Sequence, residues 1–207
     1  MAPQMMIRIP PGLEDGLEKM PPTEELAFEH GVLTRIMLAI NNVLKKAGKS
    51  PKTSLRPIYQ ACEMIQQAVV DHHMKIEEEH VYPKFDGTEL SEFADLLKAQ
   101  HDEARKLVAR MMSLSKGGRP DMDQLNAAFR DFQDMITAHA AWEETVLFPA
   151  MEGTWSAEEL SDLREIQEEQ EEKMFGKDAA KTVYSKLAEL ESSCGIEGLR
   201  DFTRKLK

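Results

Sequence analysis

An eleven-residue frame that occurs twice constrains this chain more than any other feature. It reads His73-x-x-x-Glu77-Glu78-x-x-x-Tyr82-Pro83 in one place and His139-x-x-x-Glu143-Glu144-x-x-x-Phe148-Pro149 in the other. On a helix, residues i and i+4 lie about 40° apart and one turn along the axis, so each His and the first Glu present a nitrogen and a carboxylate to one spot. Glu78 and Glu144 fall about 140° from the histidines and are expected to point elsewhere.

The surrounding sequence reads as helix throughout. Leu26, Val32, Leu33, Ile36, Met37, Ile40 and Leu44 recur at three- and four-residue spacing, the period of an amphipathic helix. This first helix is expected to start at an N-cap on Thr23 and stop at Gly48. A second should run from about Leu55, with Pro57 in its first turn, to Pro83. A third spans about Ser91 to Ser115 and ends in Lys116-Gly117-Gly118, and a fourth runs from Pro120-Asp121 to Phe148-Pro149. Ser156 is the expected N-cap of a further, strongly acidic helix, and Val183, Leu187 and Leu190 mark a last one. No sustained two-residue alternation announces a strand. The fold expected is all-α, an up-down-up-down four-helix bundle over 23–150, with an N-terminal extension over 1–22 and additional helices over 151–207.

In an alternating bundle the second and fourth helices run the same way, so both His/Glu pairs reach one level. Helices one and three each add a histidine, in Glu29-His30 and Gln100-His101. His30 precedes His73 by 43 residues and His101 precedes His139 by 38, each the length of one helix down and most of the next back. Helices one and two are thus echoed by three and four. Burying two glutamates without partners costs several kcal/mol each, whereas a multivalent cation compensates them. The expected metal ligands are His30, His73, Glu77, His101, His139 and Glu143.

Four imidazoles and two bridging carboxylates offer enough donors for two ions with four protein atoms each. A solvent or oxo bridge brings each to five, which leaves an octahedral ion one open position. Mixed nitrogen and oxygen donors without sulfur suit two Fe ions first, with Mn or Zn as alternatives. Of the remaining histidines, His72 is expected to face solvent or support the site from behind. His80 is expected to pack rather than ligate, because its counterpart in the repeat is Val146.

Composition narrows the setting. The net charge of −11 repels phosphate backbones and anionic lipid, so neither nucleic acid nor a membrane surface is an expected partner. No apolar run is long enough to span a bilayer, and Met1–Pro22 has no signal-peptide pattern. Cys62 and Cys194 make no disulfide framework. These features predict a reduced, cytoplasmic protein. The acid run from Glu158 to Glu172 is expected to be a solvated face, with a partner-binding surface as the alternative.

At His30, His73-x-x-x-Glu77, His101 and His139-x-x-x-Glu143 the chain resembles the hemerythrin-like, or HHE cation-binding, domain family, over about Thr23 to Pro149. The resemblance implies a four-helix bundle around a non-haem di-iron centre bridged by the two carboxylates, binding or sensing O2 or NO. Two alternatives accompany it: a di-iron oxidoreductase acting on peroxide or NO, and a storage or structural metal protein. Whether the chain is an enzyme and how it assembles are left open. Oxygen-carrying hemerythrins have a fifth histidine where this chain has Arg105, a departure that argues against a reversible oxygen carrier. Arg105 is expected either to pair with a ligand carboxylate or bound anion near the metals, or to pair with a neighbour on its own helix.

Overall fold

The computed structural model describes residues 20–116, 121–196 and 198–202. The expected N-terminal extension up to residue 19, the Gly117-Gly118 stop, Pro120 and the last five residues lie outside them. Among the described residues the chain is all-helical, and no helix is long and apolar enough to cross a membrane.

Helix α1 spans Pro22–Ala47. Its start is set by Pro22 in the first turn, where the missing N–H costs nothing, rather than by the expected Thr23 cap. Thr23 lies inside the helix and donates instead to Glu152 Oε1 at 2.5 Å. Glu24 in the first turn and Lys45 and Lys46 in the last complement the helix dipole. Helix α2 is composite. Arg56–Ile65 is α-helical, Gln66–His73 is π-helical, Met74–Ile76 returns to α, Glu77–Val81 is again π, and Tyr82–Phe85 closes as a 3-10 turn. Helix α3 is Ser91–Ser115.

Helix α4 begins at Met122, capped by the Asp121 carboxylate on Gln124 N–H at 3.0 Å, and runs to Trp142. It widens to π over Glu143–Leu147 and continues as α through Phe148–Thr154. It therefore passes the expected end at Phe148-Pro149. Pro149 falls at the start of a renewed α segment, where the preceding wide turn already relieves the ring of its usual clash. Helix α5, Ala157–Phe175, starts at a reciprocal capping box between Ser156 and Glu159. Helix α6, Ala179–Cys194, ends on Gly195 in the left-handed conformation, φ 75°.

The six inward polar residues divide the interior. On one side lies a large apolar cluster that includes Ile36, Ile40, Ile58, Ile65, Val108, Met111, Leu125 and Phe132. On the other lies a smaller one built on Leu26, Ile76, Phe85, Leu97, Leu147 and Met151. Leu187, Leu190 and Cys194 of α6 join the large cluster, and Leu163 of α5 joins the small one, so both C-terminal helices cover the bundle. A bidentate ion pair from Arg35 to Glu191, at 2.9 and 2.8 Å, ties α6 to α1. Most of the acid run on α5 faces solvent, as expected, but Glu171 turns inward.

Candidate metal centre

The polar layer is formed where α1 and α3, near their N-terminal halves, meet the late turns of α2 and α4. His30, His73, His101 and His139 are between 0% and 6% exposed, and Glu77 and Glu143 are fully buried. All six expected ligands are thus brought together. They form two groups that share both carboxylates: His30, His73, Glu77 and Glu143 in one, and Glu77, His101, His139 and Glu143 in the other. Within each group the donor atoms lie within 4.8 Å of one another.

The carboxylates join the groups. Glu77 Oε2 is 3.4 Å from both His73 Nε2 and His101 Nε2. Glu143 Oε2 is 3.4 Å from His30 Nε2 and 3.1 Å from His139 Nε2. Both glutamates stand at the start of a π-helical segment, a wide turn that is frequent at functional sites.

Behind the inner shell, every outer nitrogen has a partner. His30 Nδ1 donates to Glu144 at 3.0 Å, His73 Nδ1 to Glu29 at 2.7 Å, His101 Nδ1 to Glu78 at 2.9 Å and His139 Nδ1 to Gln100 at 3.0 Å. Carboxylate and carboxamide oxygens only accept, so each Nδ1 carries a proton, and in the neutral imidazole that a metal ligand must be, each Nε2 keeps its lone pair. His30 Nε2 then faces His73 Nε2 at 3.1 Å, and His101 Nε2 faces His139 Nε2 at 3.1 Å. Two lone pairs at that separation repel. A cation in each gap turns the repulsion into coordination, and a histidine held by a carboxylate behind it is the usual support of a metal ligand.

The electrostatics are uneven. Burial, reinforced by the facing Glu143, raises the Glu77 carboxyl well above its ordinary range, whereas, against their burial, His139 and His30 hold Glu143 well below it and Glu143 with Glu144 raises His30. Burial lowers the His101 imidazole to about 4, with His139 adding to the shift, and burial also lowers His73. Glu77 Oε1 and Glu143 Oε2 have no hydrogen-bond partner, in an interior where such groups are otherwise satisfied. The donor set therefore fits the multivalent cations expected from it.

The supporting shell follows the internal repeat. Glu29 and Gln100 each immediately precede a histidine on α1 or α3 and hold the one on α2 or α4. Glu78 and Glu144 each follow a core glutamate and hold the histidine on α3 or α1. Their side chains leave the inner face as expected and reach the adjacent helix, Glu78 half-buried and Glu144 still open to solvent. The doubled Glu77-Glu78 and Glu143-Glu144 and the residue before each helix-one and helix-three histidine were the signals for them.

A further polar group in the layer, Tyr82, was missed as a site residue. Its hydroxyl donates to Glu143 Oε1 at 2.6 Å and lies 3.2 Å from His101 Nε2 and 3.4 Å from Glu77 Oε2. Its signal was the aromatic position of the repeat, where the other copy has Phe148 stacked on His30 at 5.9 Å. Arg105 reaches neither Glu77 nor Glu143. Its Nη2 lies 2.7 Å from Glu78 and its Nη1 3.1 Å from Asp102, so it braces the carboxylate that holds His101 and pairs with its own helix as well. His80 is half-buried beside Glu79, away from both groups. His72 is 2% exposed, so the solvent-facing expectation fails, and its Nε2 lies 3.2 Å from Glu29.

Residues 22–150 of the chain match the model of the hemerythrin HHE cation binding domain, and a second, overlapping match runs over 92–207. Among curated proteins, the chain is similar to an uncharacterized protein of Mycobacterium tuberculosis strain H37Rv. The identity is 30% over 185 residues, covering 87% of this chain and 72% of the relative. An uncharacterized protein of Mycobacterium bovis matches to the same extent. No solved structure matches the chain significantly.

Proposed function

The chain belongs to the hemerythrin HHE cation-binding domain family, and on that premise we propose that His30, His73, Glu77, His101, His139 and Glu143 hold two iron ions in a centre that binds or senses O2 or NO. One observation carries the reading: the four Nε2 atoms face each other in two 3.1 Å pairs around two shared carboxylates, with all four Nδ1 atoms tied behind them. Such a donor set neutralises little of the ions' charge, so the centre keeps its ability to accept an anionic or diatomic ligand. When bound, the irons supply redox-active coordination positions for that ligand. The protein's own part is to orient the imidazoles, keep water out with the two apolar clusters on either side, and fix the tautomers through Glu29, Glu78, Gln100 and Glu144.

Tyr82 favours a second reading, a di-iron oxidoreductase that acts on peroxide or NO. Its phenol is buried, and burial together with Glu77 and Glu143 holds its proton well above the ordinary tyrosine range. That hydroxyl is a proton held within reach of the inner shell, the kind of group a reduction needs and a simple carrier does not.

Two measurements test these readings. Elemental analysis of protein made in iron-replete cells should give two irons per chain, and a chain that emerges without iron ends both. Rapid mixing of the reduced protein with O2, NO or peroxide then separates them. A stable adduct that reverses on ligand removal supports binding or sensing, and catalytic consumption of peroxide or NO supports the oxidoreductase.

A further inference from the structure

Outside the polar layer, a second kind of site lies where α1, α2 and α5 meet. Glu29 of α1, His72 of α2 and Glu171 of α5 offer one nitrogen and two oxygens within 4.8 Å of one another. His72 is 2% exposed, its Nε2 is 3.2 Å from Glu29 Oε1, and its Nδ1 has no hydrogen-bond partner. A cavity of about 650 Å³ opens against Glu29 and Glu171 and is lined further by Glu25, Glu168, Glu172 and Asp178, with Lys177 and Lys181 also on its wall. Among the described residues no lysine or arginine is paired with Glu25, Glu29 or Glu171.

Carboxylates brought together without a cation resist ionising. Against its burial, Glu29 is held down at about 2 by His72 and His73, whereas burial, with Glu171 and Glu29 adding their charge, pushes Glu25 up to about 8, and burial with Glu29 pushes Glu171 up to about 7. Both effects reverse if a divalent ion occupies the cluster.

We propose that Glu29, His72 and Glu171 bind one divalent cation beside this cavity, separately from the two ions of the bundle core. One imidazole with carboxylates suits Mn2+, Fe2+ or Zn2+ and lacks the thiolates a softer ion requires. Glu29 belongs to both environments: its Oε2 accepts from His73 Nδ1 at 2.7 Å while its Oε1 faces His72. The extra site thus lies directly behind a core histidine, beside a cavity whose walls carry more carboxyl groups than lysines. That surplus draws cations from solution toward a centre that is otherwise enclosed by apolar side chains.

The test is a titration of metal-free protein with Mn2+, with unbound Mn2+ counted by its electron paramagnetic resonance signal. The parent should bind one more ion per chain than Glu171→Gln, and the variant should keep the parent's helical circular dichroism. Glu77→Ala should lose core binding and retain the additional ion, which separates this site from the reading of the core. Should Glu171→Gln fail to fold, Glu171→Asp preserves the charge, and its shortened reach should weaken the same binding step about tenfold or more. Equal stoichiometry and affinity in the parent and the folded Glu171 variant would overturn the proposal. So would a parent whose Mn2+ binding is abolished entirely by Glu77→Ala.

Discussion

Tyr82 donates its hydroxyl proton to Glu143 Oε1 at 2.6 Å, across the core from α2 to the start of the π turn in α4. Nothing equivalent exists on the other side of the internal repeat, because Phe148 occupies that position and has no hydroxyl to offer. This oxygen atom, together with Gln100 standing where the other half has Glu29, makes a nearly two-fold site unequal. The group of Glu77, His101, His139 and Glu143 has a phenol beside it, while the group containing His30 and His73 has a phenyl ring.

Tyr82→Phe should remove the phenol from this half and leave the Glu29/Gln100 difference in place. In iron-loaded, reduced protein, the variant is expected to consume peroxide or NO about a hundredfold more slowly than the parent, with the iron content of the two within a few tenths of an ion. Equal rates would confine Tyr82 to hydrogen bonding with Glu143.

Glu77→Ala or Glu143→Ala should remove most bound iron, because each carboxylate contacts a histidine of both groups. A ligand at about 100 times its Kd adds about 2.7 kcal/mol to the folded state, so the loaded parent should melt several degrees above the variants, and chelation should erase the difference. Metal-free Glu77→Ala should be no less stable than metal-free parent, since it removes a buried carboxyl with an unpartnered oxygen. Equal iron content in variant and parent would sink the bridging role.

Glu78→Ala should weaken iron retention about 10- to 100-fold in competition with a chelator, by releasing the hydrogen bond that fixes His101. Arg105→Ala should have a smaller effect in the same direction, because it acts only through Glu78. If the two variants are reversed in order, Arg105 has a contact with the bound ligand that the Glu78 ion pair does not explain.

Glu159 offers a pH readout of how α5 is anchored. Lys84, at 2.7 Å, and the Ser156 N–H, at 2.9 Å, hold its carboxyl down at about 2 against an ordinary 4.5. A carboxyl whose folded value is depressed contributes its stability above pH 4.5 and loses it as pH falls toward 2. The group is exposed, so salt screens the effect. An NMR titration of Glu159 should find its midpoint well below the ordinary value and shifted upward in Lys84→Met. A midpoint that stays put would leave the capping box as the sole cause.

The fold class and the inner shell were legible because both rest on short-range periodicity. A three- to four-residue apolar repeat specifies which face of a helix is buried, and His-x-x-x-Glu places two donors on that face whatever the helix packs against. The twin frames also showed that the site is assembled from two similar halves. Helix ends were read less well. Thr23 was assigned as a cap from local chemistry, but its hydroxyl serves Glu152, 129 residues away. Pro149 was read as a stop, and a π turn that periodicity does not reveal lets α4 continue past it.

By itself the sequence determined six inward-facing ligand candidates, the four helices that carry them and their pairing as a repeat, since all of these follow from spacing along a chain of known helical pitch. Only the tertiary structure decided which outer residue holds which histidine, that Arg105 braces Glu78, that Tyr82 enters the polar layer, and that Glu171 leaves its solvated face to meet His72 and Glu29. Those are contacts between helices, set by the rotation and offset of each about its axis. Neighbours in sequence carry no record of either.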